Sequence, residues 1–211
     1  MRLAAQHGWM TTPLSTTTVT ELVAMLPTAG SAVELGCGAA VLSEHMAARG
    51  LQTLAIDTVP GVCEAVAERR PDLTVLCAGV RHGPEAATGP IQRSFDVIAC
   101  LGMTLHDDIS DHISALTRWG HSATAVINGV WVRSNEEDVW RTTQRRHGIQ
   151  IRHEWPVSIA EWVHHEVNTL NLVRAIAPGS TLVTRLEAYV DEVLPQLTAE
   201  QHFHVFLGTM G

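Results

Sequence analysis

Positive charge is scarce in this chain. Its 14 lysine and arginine residues face 22 aspartate and glutamate residues, for a formal net charge of −8, and only Arg69-Arg70 and Arg145-Arg146 stand together. Binding a phosphate backbone requires a basic stripe that displaces condensed counterions, so no nucleic-acid partner is expected. Paired cysteines are missing too: Cys37, Cys63, Cys77 and Cys100 lie far apart without CxxC spacing. They read as small buried hydrophobes in a reducing cytoplasm, not as a disulfide framework or a zinc site. The 12 histidines are dispersed, with no HExxH motif and no Cys/His cluster, so no metal is expected. No stretch approaches the roughly 20 apolar residues that cross a bilayer. Residues 1–18 lack the apolar core of a signal peptide, and no membrane partner is expected. Internal repeats are absent.

What remains is the composition of a folding chain: 45% of the residues are hydrophobic and 17% charged, over 211 residues. That length suits one α/β domain spanning 1–211. STTTVT at 15–20 reads as a helix start, capped by Ser15 or Thr16. From Ser31 onward, strand-like segments (SAVELG, LQTLAID, DLTVLCAG, FDVIACLG, HSATAVINGVWV) alternate with helical ones (AVLSEHMAAR, GVCEAVAERR, DDISDHISALTRW). Such alternation predicts right-handed crossovers and a mostly parallel, doubly wound Rossmann-like sheet covered on both faces. Beyond it, NEEDVWRTTQRRHG looks helical, while IQIRHEW and HFHVFLG look like strands that pair at a sheet edge. Residues 158–194 read as two helices broken at Pro178-Gly179, so 156–195 is expected to form a helical cover between the last two strands.

The bend in VELGCG carries the chemistry. Ligands of open parallel sheets sit beyond the carboxyl ends of the strands, and Gly36 and Gly38 let the backbone approach one closely. A dinucleotide fingerprint needs a third glycine at position 41, where this chain has Val41, and no phosphate-loop GKS or GKT follows. Glu34, two residues before the first glycine, suits a cation better than a pyrophosphate. Asp57, at the end of the next strand, suits ribose hydroxyls. Together they favour a cationic, ribose-containing ligand without phosphates.

VELGCGAAVLSEHMAARG, LAIDTVPGVCEAVAERRPDLTVLCAG and FDVIACLGMTLHD resemble the successive signature segments of class I S-adenosylmethionine-dependent methyltransferases of the small-molecule type, over about residues 20 to 130. The resemblance implies a seven-stranded sheet ending in an antiparallel hairpin, with S-adenosylmethionine as cofactor and S-adenosylhomocysteine as product. Carried onto this chain, it implies that Glu34, Gly36, Cys37 and Gly38 line the methionine part of the cofactor. Asp57 would hold the ribose, Thr58 and Val59 would border the adenine, Gly79 and Val80 would flank the adenine edge, and Cys100 and Leu101 would lie beside the sulfonium. Two residues depart from the family pattern. Ala40 replaces the third glycine of E/DxGxGxG, and Val80 stands where an aspartate often accepts from the adenine amino group.

Methyl transfer needs an acceptor atom held in line behind the methyl, about 3 to 3.5 Å away. A base is needed only if the acceptor keeps its proton. His106, in the loop after the fourth strand, is the first candidate for base or orienting group, the plain alternative being a solvated residue at a helix start. Glu166 is the second, because it falls within the apolar stripe of IAEWVHHEVNTLNLVRAI, where a carboxylate is costly unless it meets an amine, a hydroxyl or an arginine such as Arg174 or Arg185. Trp9 and Trp131 are candidate walls of the acceptor site. Asp107, Asp108 and Asn128 only loosely imitate a magnesium site.

The expected function is transfer of a methyl group to an O, N or C nucleophile of a small molecule, by a monomer or homodimer. The missing Pro-Pro-Tyr segment argues against DNA amino-group methylation. Open alternatives are an enzyme that binds the same cofactor for a rearrangement or cyclisation, a noncatalytic partner subunit of the same fold, and a nicotinamide enzyme.

Overall fold

The computed structural model describes residues 14–81, 83–84, 94–102, 108–133, 135–193, 195 and 201–211. Seven strands form its sheet: β1 (Ser31–Leu35), β2 (Gln52–Asp57), β3 (Thr74–Cys77), β4 (Phe95–Leu101), β5 (Gly120–Arg133), β6 (Ile149–Val157) and β7 (Gln201–Met210). Their spatial order is β3-β2-β1-β4-β5-β7-β6. The first five strands pair in parallel. β7 runs antiparallel to both β5 and β6, giving the edge hairpin expected from the sequence. The helices are α1 (Thr16–Ala24), α2 (Val41–Ala48), α3 (Pro60–Arg69), α4 (Ile109–Thr117), α5 (Glu137–Arg146), α6 (Ile159–Ile176) and α7 (Thr181–Ala188), with a π-helical turn at Tyr189–Val193.

Local chemistry sets these boundaries. Ser15 caps α1 by accepting from the Thr18 N–H. Ser158 and Glu161 form a reciprocal capping box that starts α6. α6, α7 and the π turn occupy the chain between β6 and β7, within the stretch expected to be helical. β3 is shorter than DLTVLCAG suggested, because it lies at the sheet edge with every residue at least partly exposed. β6 runs on through Pro156, which an edge strand tolerates since its N–H is not required there.

Alternation along the strands sorts the core into two faces. On one, Val33, Leu35, Ile98, Val130 and Phe206 pack with Ile113 and Leu116 of α4 and Trp140 of α5. On the other, Ala32, Val97, Ala99, Phe203 and Val205 pack with Leu22 of α1 and Leu42 and Met46 of α2. The strand order reverses direction between β1 and β4, so the crevice for a ligand lies beyond their carboxyl ends. β5 outruns β4, whose last residue Leu101 pairs with Gly129, so residues 130–133 project past that edge.

Gly129 makes this close fit possible: a Cβ there would stand 2.5 Å from Leu101 Cδ2 and 2.9 Å from Phe203 Cζ. Gly129→Ala is therefore expected to overpack the junction and cost about 1–3 kcal/mol. Urea unfolding of the two proteins checks this; equal midpoints and slopes would show that the junction yields without cost.

Candidate functional site

The bend after β1 is held open by its backbone. Gly36 (φ 71°), Gly38 (φ 50°) and Ala40 (φ 56°) all adopt left-handed conformations, so the chain reverses within five residues. Ala40 is the only non-glycine residue with positive φ among the described residues. Its methyl is completely buried, and the position costs about 1–2 kcal/mol in backbone strain.

Side chains fix the bend from two directions. Asp57, at the tip of β2, accepts from Gly38 N–H through Oδ2 at 3.0 Å and from Val59 N–H through Oδ1 at 2.9 Å. Glu34 lies on the same face of the sheet as Ala32, toward α2, where its Oε2 accepts from the backbone N–H (2.9 Å) and hydroxyl (2.5 Å) of Ser43. Burial pushes the Glu34 carboxyl up to about 7, opposed by the two Ser43 bonds and reinforced by Asp57. Arg69 donates to the Ala39 carbonyl at 2.6 Å, and both Arg69 and Arg70 pair with Glu44 of α2. Ser43 and the Arg69–Glu44–Arg70 cluster did not figure in the sequence reading.

The other residues expected around a cofactor divide by exposure. Thr58, Val59 and Gly79 are exposed at the rim, and a Cβ built on Gly79 would meet nothing within 4 Å. Val80 is buried in the core, and its carbonyl accepts from Trp119 Nε1 at 3.2 Å. Its side chain is thus committed to packing and one lone pair of its carbonyl is taken. Cys37, Cys100 and Leu101 are also buried. Desolvation raises the Cys37 thiol far above its ordinary value and pushes Cys100 up to about 12, so both stay protonated and neither is an activated nucleophile.

Of the proposed catalytic pair, His106 lies outside the described residues, as do Trp9 and Asp107. Glu166 is half-buried on α6 and accepts from Trp162 Nε1 at 3.3 Å. Burial raises its carboxyl above the ordinary range. The expected alternative of an ion pair with Arg174 is not realised, because Arg174 engages Glu187 at 2.8 Å. Trp162 packs at a tilt against Trp131 with centroids 4.2 Å apart, and Trp131 packs edge-on against Phe203. The structure thereby brings Glu166, Trp162 and Trp131 together at the projecting end of β5. Asp108 caps α4, accepting from Ser110 and Asp111 N–H. Asn128 Oδ1 lies 3.1 Å from His112 Nε2, so neither residue stands free as a magnesium ligand.

The left-handed bend lies at the switch point of a Rossmann-like sheet, with a carboxylate near the carboxyl end of β1 and another at the end of β2. Residues 33–121 match the family described as methyltransferase domain. The structure is similar to a SAM-dependent methyltransferase from Geobacter sulfurreducens solved with S-adenosyl-L-homocysteine (TM-score 0.72, 15% identity, 100% of this chain and 98% of that one). It is also similar to one from Thiobacillus denitrificans solved with the same compound (0.72, 14%, 99% and 98%) and to the [4+2]-cyclase SpnF (0.66, 12%, 91% and 79%). No curated protein sequence matches significantly. The resemblance to class I S-adenosylmethionine-dependent methyltransferases thus holds for the fold and for the segment 33–121.

A raised carboxyl makes a pH prediction. With a folded value of about 7 against an ordinary 4.5, Glu34 favours the folded state below pH 4.5, and that contribution is lost as pH rises through 7. Between pH 5 and 8 the wild type should lose about 2.5 kcal/mol of unfolding free energy relative to Glu34→Gln, whose amide oxygen still accepts from Ser43. Parallel urea titrations at both pH values measure the difference; curves that shift together would show that Glu34 titrates normally.

Proposed function

We propose that this protein is an S-adenosylmethionine-dependent methyltransferase that methylates an O, N or C nucleophile of a small molecule by in-line displacement. The observation that carries the reading is the Asp57 carboxylate. It holds the bend with one lone pair on each oxygen and keeps the others for the hydroxyls of a ribose.

The bend fits the cofactor's methionine part through Glu34, Gly36, Cys37 and Gly38. Glu34 Oε1 has no hydrogen-bond partner among the described residues and suits an ammonium group. Exposed Thr58, Val59 and Gly79 leave a rim where an adenine can lie, with Val80 supplying backbone only. Cys100 and Leu101, at the end of β4, are assigned to the sulfonium side. When bound, the cofactor supplies an electrophilic methyl, and the acceptor's lone pair displaces S-adenosylhomocysteine. Trp131 and Trp162 hold the acceptor by packing, while Glu166, kept more basic by burial, takes a proton from it or orients it. His106 is retained as the alternative base.

Among the described residues no helix is long and apolar enough to cross a membrane. The reading places the protein in cytoplasmic biosynthesis, acting alone or as a homodimer, with 156–195 as the acceptor cover of a single domain. The likeness to a [4+2]-cyclase supports a second reading, in which the same pocket steers a rearrangement or cyclisation without transfer.

Isothermal titration should show one site for S-adenosylmethionine and S-adenosylhomocysteine and none for NAD. Asp57→Asn should weaken binding about 10- to 100-fold, as expected for losing hydrogen bonds to a charged group. Binding of NAD instead, or no binding of any of the three, would overturn the cofactor assignment. With binding established, S-adenosylhomocysteine release in a screen of phenols, amines and heterocycles distinguishes transfer from the second reading.

A further inference from the structure

A second polar centre lies on the sheet face opposite Trp131, where α5 covers β6 and β7. Alternation along β7 sends Phe203 and Val205 toward α1 and α2, and His202 and His204 toward α5 with Phe206. There the two imidazoles meet Glu137, the first residue of α5, and one donor atom from each of the three residues lies within 4.8 Å of the others.

Within this cluster, hydrogen bonding is incomplete. His202 Nε2 stands 2.8 Å from Glu137 Oε1 yet without the alignment of a hydrogen bond, and it is buried without another partner among the described residues. His204 is 2% exposed; its Nε2 lies 3.2 Å from Glu154 Oε2 while its Nδ1 is buried with no partner among the described residues. Buried imidazole nitrogens left without a partner cost free energy unless a ligand engages them.

The charge balance leaves room for a dication. Arg141 binds Glu137 through Oε2, Asp138 through Oδ1 and Glu154 through both carboxylate oxygens, so one guanidinium faces three carboxylates. Glu137 Oε1 is left turned to His202.

We infer that Glu137, His202 and His204 form a binding site for a divalent transition cation of the zinc class, fastening α5 to the β6–β7 hairpin. Two imidazoles and a carboxylate are the donors such ions prefer, whereas magnesium and calcium favour oxygen alone. Glu154 serves the site from behind, a carboxylate beside a ligating imidazole that fixes the ring and raises its basicity. The site lies on the face opposite the Trp131–Trp162 wall, so its role is structural. It does not depend on the proposed methyl transfer.

Tag-free full-length protein, stripped with chelator, should take up one Zn²⁺ per chain in a calorimetric titration. Co²⁺ in the same site should give visible absorption bands that Zn²⁺ abolishes, and the metal should raise the thermal midpoint. Glu137→Gln and His202→Gln, both at partly exposed positions that the fold should tolerate, should each weaken Zn²⁺ binding by about 10-fold or more. His153→Gln, an exposed histidine on the other face of β6, should leave affinity unchanged. Failure of Zn²⁺ and Co²⁺ to bind stoichiometrically, or binding that survives both ligand substitutions, would overturn the assignment.

Discussion

One carboxylate keeps the cofactor-side geometry of this molecule in place. Asp57 is nine-tenths buried at the end of β2 and joins two turns that are far apart in sequence, the bend after β1 through Gly38 and the start of α3 through Val59. Hydrogen bonds to a charged group contribute about 1.5–3 kcal/mol each, against about 1–2 kcal/mol for the left-handed Ala40. The two bonds therefore outweigh the strain, and the bend persists without a ligand to hold it. In the proposed function a ribose would meet acceptors that are already oriented, which lowers the ordering cost of binding.

The second acid of the site has a different physical task. Glu34 shares a sheet face with Asp57 but points at the first turn of α2, where Ser43 offers it an otherwise orphaned backbone N–H. With its carboxyl raised to about 7, Glu34 is divided between charged and neutral forms near neutrality. Glu34 secures the helix that follows the bend, and Asp57 secures the bend itself. The Arg69–Glu44–Arg70 cluster ties α3 back to α2, so that both helices flanking the bend move together.

Much of this arrangement was legible in the sequence because it depends on short-range rules. Alternating apolar segments of strand and helix length gave the layered sheet, and the acid–glycine–glycine–acid spacing located the bend and its ligand class. Ser43 was readable only in part: the period of two places Glu34 toward α2, but which turn of α2 it meets depends on how that helix lies against β1. Val80 was harder, since nothing local shows that Trp119 will take its carbonyl from thirty-nine residues away. The histidines of HFHVFLG sit two apart on one strand face, a visible signal. Their carboxylate partners come from α5 and β6, and dispersal along the chain hid a cluster that pairing of β7 with β5 creates.

β6 shows how a single inserted residue decides what such a hairpin can do. Strict alternation through IQIRHEW would put Ile149, Ile151, His153 and Trp155 on one face. In the structure Ile151 pairs with Gly208 and His153 with Leu207, so two steps along β6 match one along β7. Arg152 is the extra residue, and the faces exchange across it: Ile149 and Ile151 pack toward α5, whereas Trp155 and Val157 pack toward α1 and α2. Glu154 is thereby turned inward to Arg141 and His204 instead of outward to solvent. Gly208 holds this register, because a Cβ there would stand 2.6 Å from Ile149 Cγ2 and 2.8 Å from the Gln150 carbonyl oxygen. A one-residue slip of the hairpin would send His202 and His204 to the face of Trp131 and Phe203 to the charged one, so the bulge and the glycine together determine which chemistry each face carries.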